Sequence, residues 1–296
     1  MRFSASLLAL ASLAPLAHAA THDLIVGTFG TKALYTLEFD DEALTLDLVA
    51  NTSTTISSSW IALSNATSIG LDKAVVAGGN CTSTSIYVVA DPHPPYAVYG
   101  SFFGGDAGCG AVMSVDDGVL DASILNYTYF TSSGVHGTAF GPDSKFIYSA
   151  DDTGNTLWTH SVDSSTVCSH VVYPLKQSND SASDFWADEV ALSASGSYVW
   201  ATNRARSSTA GYISAFTLDE SGAILQQNFL LPTTSTGGAA NSVAPSPFSD
   251  RFVALTDSSV GFVEIWELAE DGQAASVVAH IDLVDGGCCA NAVWYS

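Results

Sequence analysis

Short apolar runs rich in Val, Ile, Thr, Tyr, Phe and Trp recur along the chain, separated by clusters of Gly, Asp, Asn and Ser. Apolar residues rarely follow helical spacing, whereas runs of this length and composition predict β-strands bounded by turns. Representative runs lie at residues 23–29, 34–39, 85–90, 96–102, 146–150, 198–202, 212–218 and 260–268. Since no linker divides them, the pattern predicts a single all-β domain.

A repeated phrase is visible in the second half of the chain. It consists of a strand, a polar turn, a second strand that ends in a small or acidic residue, and a third strand. Copies begin at His136, Asp188 and Asn241, and their spacing of about fifty residues is what a four-stranded propeller blade requires. Residues 291–295 repeat only the opening strand, which predicts a C-terminal strand that closes the ring and removes an exposed sheet edge.

Counting backward from these copies predicts a β-propeller. Six blades are expected, at residues 23–50, 58–92, 96–128, 136–175, 187–231 and 240–283, and seven blades are the alternative.

The N-terminus has the features of a secretory signal peptide. A charge at Arg2 precedes an apolar stretch over residues 7–16 and the small-x-small sequence of Ala17, His18 and Ala19. The apolar stretch is too short to span a bilayer. We therefore expect a signal peptide over residues 1–19, cleavage near Ala19, a propeller over residues 20–296, and secretion.

Glycosylation and disulfide chemistry agree with that route. Asn-x-Ser/Thr sequons, which predict surface glycans, occur at Asn51, Asn65, Asn80, Asn126 and Asn179. The cysteines are Cys81, Cys109, Cys168, Cys288 and Cys289. An oxidising compartment favours pairing, and the odd number leaves at least one thiol over. Backbone strain is expected to direct Cys288 and Cys289 to other partners, and Cys81 with Cys109 is the expected bridge.

Charge and motifs narrow the function classes. The 30 acidic and 8 basic residues give a net charge of −22, which opposes binding to nucleic acid and to anionic membranes; solubility is the simplest use of this acidity. The sequence lacks Cys-x-x-Cys, histidines at ligand spacing, Gly-x-Ser-x-Gly, a Walker loop and a Rossmann fingerprint. We expect no metal, no nucleotide and no other cofactor, although carboxylate metal binding at the channel mouth stays an open alternative.

Several phrases resemble one family from end to end of the chain. They lie at residues 35–41, 94–99, 134–137, 148–151, 157–160, 211–216 and 291–295. In this order they resemble the fungal 3-carboxy-cis,cis-muconate lactonizing enzymes, which are cofactor-free seven-bladed propellers. The resemblance implies a site that contains His136, from the Gly-x-His-Gly phrase, and Arg204.

The chain departs from that family in two respects. Only a short connection separates His160 from Asp184 where the family carries a further blade, so one blade and its Arg and Glu have no counterpart here. Muconate lactonization also handles a tricarboxylate, which requires several converging cations, yet only seven Lys and Arg follow position 19. A neutral or apolar ligand is therefore favoured.

Candidate site residues follow from the blade plan, because opening strands line the central channel of a propeller. His136 is the candidate general acid or base and Arg204 the group that polarises a carbonyl or oxyanion. The candidate substrate-binding residues are Trp60, Trp186, Asp188, Glu189, Asn241 and Asn291. The alternative roles are structural: His136 held for local reasons, Arg204 paired with Asp151, Asp188 or Glu189, tryptophans that only pack, and amides that satisfy backbone groups.

The leading hypothesis is a cofactor-free, ring-forming enzyme that acts on a small, largely neutral organic substrate. The predicted setting is fungal secondary metabolism, where a secreted pericyclase could dehydrate an alcohol and direct a hetero-Diels–Alder addition. The alternatives are a carboxy-cis,cis-muconate cyclase and a non-catalytic secreted glycoprotein or adhesin. The sequence does not determine the oligomeric state.

Overall fold

The computed structural model describes residues 20–61, 84–93, 97–103, 109–116, 119–128, 134–162, 167–283 and 288–295. This part of the chain is all-β apart from one short 3-10 turn at Ala182–Asp184. Its strands are β1 (Thr21–Val26), β2 (Ala33–Asp40), β3 (Thr45–Ser53), β4 (Thr84–Ala90), β5 (Val98–Phe103), β6 (Cys109–Asp116), β7 (Val119–Thr128), β8 (Val135–Phe140), β9 (Phe146–Asp151), β10 (Thr156–Val162), β11 (Val167–Pro174), β12 (Phe185–Leu192), β13 (Tyr198–Ala205), β14 (Tyr212–Leu218), β15 (Ile224–Pro232), β16 (Val243–Pro245), β17 (Phe252–Asp257), β18 (Phe262–Leu268), β19 (Ala275–Asp282) and β20 (Ala292–Trp294).

The strands form four-stranded antiparallel sheets, each a meander of consecutive strands. The sheets are β4 to β7, β8 to β11, β12 to β15 and β16 to β19, and β20 joins β1 to β3. The opening strands β4, β8, β12, β16 and β20 are the inner ones, because β8 contacts β4 and β12, and β16 contacts β12 and β20. This arrangement confirms the predicted all-β propeller.

Ring closure by the C-terminal strand is also confirmed. Strand β20 pairs antiparallel with β1, with Leu24 opposite Trp294 and Val26 opposite Ala292. Trp294 then packs edge-on against Phe39, with ring centroids 6.1 Å apart. The first blade is thus built from both ends of the chain, and β20 covers the edge of β1 that would otherwise be unpaired.

The predicted division of the first half of the chain needs correction. Residues 58–92 and 96–128 were expected to form two blades, but β4 pairs with β5, with Ala90 opposite Val98. The described ranges therefore contain five sheets rather than six, and residues 62–83 lie outside them. The segment between β4 and β5 contains Pro92, Pro94 and Pro95, which interrupt a strand pattern as a connection between blades does, so the sequence did not distinguish a hairpin from a blade boundary.

Burial follows position within a blade. Strands β8 and β17 are buried at every position, whereas the outermost strands β3 and β19 are mostly exposed. Inner strands face the channel and are flanked by neighbouring blades, so neither face of them meets bulk water. Apolar contacts between blades fill the remaining space, as where Phe39 of β2 packs edge-on against Phe252 of β17 with ring centroids 5.0 Å apart.

The cysteine prediction is wrong for the adjacent pair. Cys288 and Cys289 form a disulfide with each other across a cis peptide bond, which brings their Cα atoms to 3.0 Å. The expectation of other partners assumed a trans peptide, which holds neighbouring Cα atoms farther apart. The predicted bridge between Cys81 and Cys109 lies outside the described residues, since Cys81 is not among them.

Two of the predicted glycosylation sites lie at exposed positions. Asn51 on β3 and Asn179 before the 3-10 turn are both exposed. Asn65 and Asn80 lie outside the described residues, and the side chain of Asn126 is not described. The described ranges contain no helix of the length and hydrophobicity that a bilayer crossing requires.

Candidate active site at the mouth of the channel

A cavity of about 320 Å³ opens where β8 and β12 begin. Its walls are formed by Phe29, Ser59, Trp60, His136, Asp152, Trp186, Arg204 and Ala239. Four of the residues that the sequence nominated, His136, Arg204, Trp60 and Trp186, therefore meet in one place. They come from two blades and from the segment that follows β3, so the arrangement of the blades in a ring is what assembles them.

Two β-bulges change the direction of side chains on the inner strands β8 and β12 next to this cavity. The register of β8 against β9 shifts between Val135 and Thr138, and the register of β12 against β13 shifts between Ala187 and Val190. A bulge inserts extra residues on one strand and redirects their side chains. The bulged residues include His136 on β8 and Asp188 on β12.

The close approach of β8 to β12 explains why a glycine, Gly137, follows the candidate histidine. A Cβ atom at Gly137 would lie 2.7 Å from the carbonyl oxygen of Asp188 and 2.9 Å from the Cα of Glu189. Only a residue without a side chain lets β8 approach β12 this closely. That approach places His136 Nδ1 3.0 Å from the carbonyl oxygen of Asp188.

The tautomer of His136 follows from this contact. A carbonyl oxygen only accepts hydrogen bonds, so Nδ1 carries the proton and Nε2 carries the lone pair. Burial lowers the pKa of His136 below its ordinary value; the Asp188 carboxylate opposes that effect and the Arg204 charge reinforces it. His136 is therefore neutral near pH 7 and equipped to accept a proton at Nε2.

Arg204 is buried and held from several directions. It donates to the carbonyl of Ala239 at 2.6 Å and to that of Ala187 at 3.3 Å, and its NH1 lies 3.5 Å from Asp188 Oδ1. Its Cζ lies 4.3 Å from the centroid of the Trp186 ring, a cation–π distance. Arg204 thus forms the ion pair with Asp188 that the structural alternative predicted, and it also lines the cavity.

Asp152 belongs to the site although sequence analysis did not select it. Its carboxylate is buried, with Oδ1 3.5 Å from Arg206 NH2. Burial raises its pKa to about 6, against the opposing charges of Arg204 and Arg206. Its signal in the sequence was the second acid of the Asp151–Asp152 pair, directly after β9. The repeat phrase ended at Asp151, whose side chain accepts a hydrogen bond from the Gly134 amide at 2.7 Å.

The structure places Asp188 and Asn241 behind the cavity rather than in its walls. Asp188 is fully buried, and its Oδ2 accepts a hydrogen bond from the Asn241 amide at 2.6 Å. Asn241 is almost fully buried and donates from Nδ2 to the carbonyl of Thr256 at 3.1 Å. Both were expected to bind substrate, yet both support the residues that line the cavity, because a bulged strand turns alternate side chains into the protein.

Glu189 and Asn291 line the channel cavity, of about 410 Å³, which borders the candidate active site at Trp60. Burial raises the pKa of Glu189 to about 8, although the Ser242 and Tyr87 hydroxyls both donate to its carboxylate. Asn291 accepts from the amide of Ile61 at 2.9 Å and donates to its carbonyl at 3.0 Å. It therefore satisfies backbone groups, as the structural alternative held.

The chemistry of this arrangement is that of proton transfer beside an apolar wall. Trp60 and Trp186 supply flat surfaces, His136 a base, Asp152 an acid, and Arg204 a fixed positive charge. No cluster of three or more His, Cys, Asp or Glu side chains suited to hold a metal ion occurs within the described ranges.

Comparison with known proteins agrees with this fold. The chain is 29% identical to a carboxy-cis,cis-muconate cyclase of Neurospora crassa over an alignment of 364 positions, which covers 93% of this chain and 99% of that protein. It is 24% identical over 348 residues to muconate cycloisomerase 1 of Cutaneotrichosporon cutaneum, covering 85% and 91% of the two chains. No family model matches the sequence.

Solved structures with the same fold are more distant in sequence. A proposed 6-phosphogluconolactonase of Bacteroides uniformis superposes with a TM-score of 0.64 at 13% identity, covering 93% of this chain and 99% of that one. A periplasmic gluconolactonase of Pseudomonas aeruginosa superposes with a TM-score of 0.51 at 10% identity, covering 94% and 99%. The chain is therefore a propeller similar in sequence to fungal muconate-cyclizing enzymes and similar in fold to bacterial lactonases.

Proposed function

We propose that this protein is a ring-forming enzyme that acts on a small, unsaturated and largely neutral organic substrate. The observation that carries the proposal is the convergence of His136, Arg204 and Asp152 on one cavity walled by two tryptophans. The similarity to a fungal cyclase over 93% of the chain supports the reaction class. The finer assignment is a pericyclase that dehydrates its substrate and then directs a hetero-Diels–Alder addition.

The charges around the cavity favour a neutral substrate. Arg204 faces Asp188 and Arg206 faces Asp152, each across 3.5 Å. Burial keeps His136 uncharged by lowering its pKa. Arg204, the cation that lines the cavity, is thus already matched by the Asp188 carboxylate, so a multiply charged anion would find little net attraction.

A dehydration step fits the acid and the base. A hydroxybenzyl alcohol loses its phenolic proton to His136 Nε2 while the protonated Asp152 donates a proton to the departing hydroxyl. The benzylic C–O bond breaks, water leaves, and an ortho-quinone methide remains. His136 and Asp152 return to their starting states by exchanging one proton with solvent.

Ring closure then requires orientation more than further chemistry. The quinone methide and an alkene form one C–C and one C–O bond in a single step that needs no proton transfer. Arg204 polarises the quinone methide oxygen, and the faces of Trp60 and Trp186 hold the unsaturated partners against each other. Positioning of this kind can lower a barrier by roughly 7–11 kcal/mol.

A muconate-type lactonization is the second candidate. The supporting observation is the 29% identity to the Neurospora crassa cyclase, which extends over 99% of that protein. This candidate requires additional cations to hold a tricarboxylate. Turnover of carboxymuconate to lactone by the pure protein would favour it over the pericyclase.

The test combines metabolite analysis with two histidine variants. Deletion of the gene from its own organism is expected to accumulate unclosed precursors, detected by mass spectrometry. The wild-type gene and a His93→Gln control should restore the product, because the side chain of His93 is 48% exposed and lies outside the cavity. His136→Gln should not restore it. An unchanged metabolite profile would favour a binding or surface role instead.

A further inference from the structure

A further cavity of about 330 Å³ adjoins the candidate active site. It is lined by Phe29, Gly30, Ala239, Ser258, Ser259, Val260 and Cys288. Phe29 and Ala239 line both cavities, so the two share a wall and meet at these residues. A ligand longer than the first cavity would reach the second across Phe29 and Ala239.

The hydroxyl groups around this second cavity are already used by the protein. Ser258 Oγ accepts from the amides of Ala239 and Ala240 at 2.6 and 2.9 Å and lies 3.1 Å from the carbonyl of Gly237, to which it donates. Ser259 Oγ donates to Asp257 Oδ1 at 2.9 Å. These serines hold the loop, and they offer a ligand little beyond their carbon atoms.

Apart from the serines, the side chains that line this cavity are apolar. Phe29 is 39% exposed and Val260 is 58% exposed. Cys288 brings the edge of the disulfide, and sulfur is polarisable and contacts aromatic and hydrocarbon groups favourably. Exposed apolar residues that border a cavity mark a binding surface more often than isolated ones do.

We infer that this second cavity is a subsite for the apolar, non-reacting part of a two-part substrate. The inference rests on the proposed function, because the reacting part is then held at His136 and Arg204. The occupant is a hydrocarbon extension of the same molecule, alkyl, prenyl-like or aromatic, and it carries no charge. Continuity with the first cavity through Phe29 and Ala239 is what assigns this occupant.

The test is a binding series that does not depend on turnover. Phenol, 4-butylphenol and 4-hexylphenol are titrated by calorimetry into the folded, full-length mature protein. Wild type should bind 4-hexylphenol about tenfold or more tightly than phenol, since burial of several CH₂ groups stabilises the complex. Val260→Asp should reduce that ratio to about threefold or less and leave the affinity for phenol unchanged.

Val49→Asp is the matched control, because Val49 is also 58% exposed but lies on β3, an outermost strand. It should leave the ratio at its wild-type value, and thermal melting should show that both variants fold. A Val260→Asp protein that keeps the full preference for 4-hexylphenol would overturn the subsite. Loss of turnover in His136→Gln tests the proposed function separately, because the ratio of the two affinities compares probes that meet residue 136 through the same phenol group.

Discussion

His136 and Asp188 come from different blades, and Nδ1 of the histidine lies 3.0 Å from the main-chain carbonyl of the aspartate. The same aspartate presents its carboxylate to Arg204 at 3.5 Å and accepts the Asn241 amide at 2.6 Å. One residue of β12 thus orients the candidate base through its backbone and the candidate cation through its side chain. A change at Asp188 or Arg204 therefore affects both the stability of the fold and the geometry of the candidate site, and the two effects must be measured separately.

The Arg204–Asp188 pair can be tested by a double-mutant cycle. Arg204→Met leaves a buried carboxylate without its cation, so we expect a loss of about 3 kcal/mol in unfolding free energy. Asp188→Asn in the Arg204→Met background should recover much of this loss, because the charge is then removed. If Arg204 polarises the substrate, both Arg204→Met and the double variant should lack turnover. Full activity in the double variant would assign Arg204 to structure alone. Denaturant unfolding and product formation are the two measurements.

The rate should show an acidic optimum. His136 must be deprotonated, and burial lowers its pKa below its usual value, whereas Asp152 must be protonated and its pKa is raised to about 6. The rate should therefore rise as His136 loses its proton and fall as the pH increases beyond about 6. Asp152→Asn should remove the fall at higher pH and lower the rate about 100-fold.

Asp143→Asn is the control for that profile, because Asp143 pairs with Lys145 at the surface, away from the cavity. Its pH profile should match that of the wild type. A profile of Asp152→Asn with the same upper limb as the wild type would exclude Asp152 as the acid.

Gly137→Ala should disturb the site through the backbone. The added Cβ would approach two main-chain atoms of β12 at 2.7 and 2.9 Å, so the strands must separate, at a cost of about 1–3 kcal/mol. Gly141→Ala is milder, since its Cβ would meet the Tyr148 hydroxyl at 3.1 Å. We expect a lower melting temperature and lower turnover for the first variant than for the second; equal effects would argue against the close approach.

Glu189 predicts a stability that declines with pH. Burial raises its folded-state pKa to about 8 from an ordinary 4.5, so the folded protein holds a proton that the unfolded chain releases between these values. The resulting stabilisation is complete below about pH 4.5 and is lost as the pH rises through 8. Glu189→Gln should flatten this dependence, and each pH unit of difference in pKa is worth about 1.4 kcal/mol. Urea unfolding at pH 5 and pH 8.5 measures it, and a wild type equally stable at both would contradict the prediction.

Secretion and glycosylation are predicted to be observable together. Expression in a eukaryotic host should export a protein that begins near Ala20, and an endoglycosidase should lower its mass. Ser53→Ala and Ser181→Ala each remove one sequon while keeping its exposed asparagine, at Asn51 and Asn179. Each variant should lose one glycan and keep its activity, because both sites are remote from the cavity. Retention of the full protein inside the cell would contradict the predicted signal peptide.

The sequence determined those features that local patterning encodes. Alternating and continuous apolar runs predicted β-strands, and the repeat predicted blades. The orphan phrase before Trp294 predicted closure against β1. His136 was selected because it opens a repeat phrase and matches the Gly-x-His-Gly phrase of the resembled family, and Arg204 was selected from that resemblance alone.

Tertiary structure decided what depends on contacts between distant segments. Whether a polar turn joins two blades or two strands of one blade depends on pairing, as between Ala90 and Val98. Asp152 resembles Asp151 in sequence, yet Asp152 lines the cavity whereas Asp151 accepts a hydrogen bond from the Gly134 amide. The burial that raises the pKa of Glu189 has no local signature either, because its partners Tyr87 and Ser242 come from distant parts of the chain.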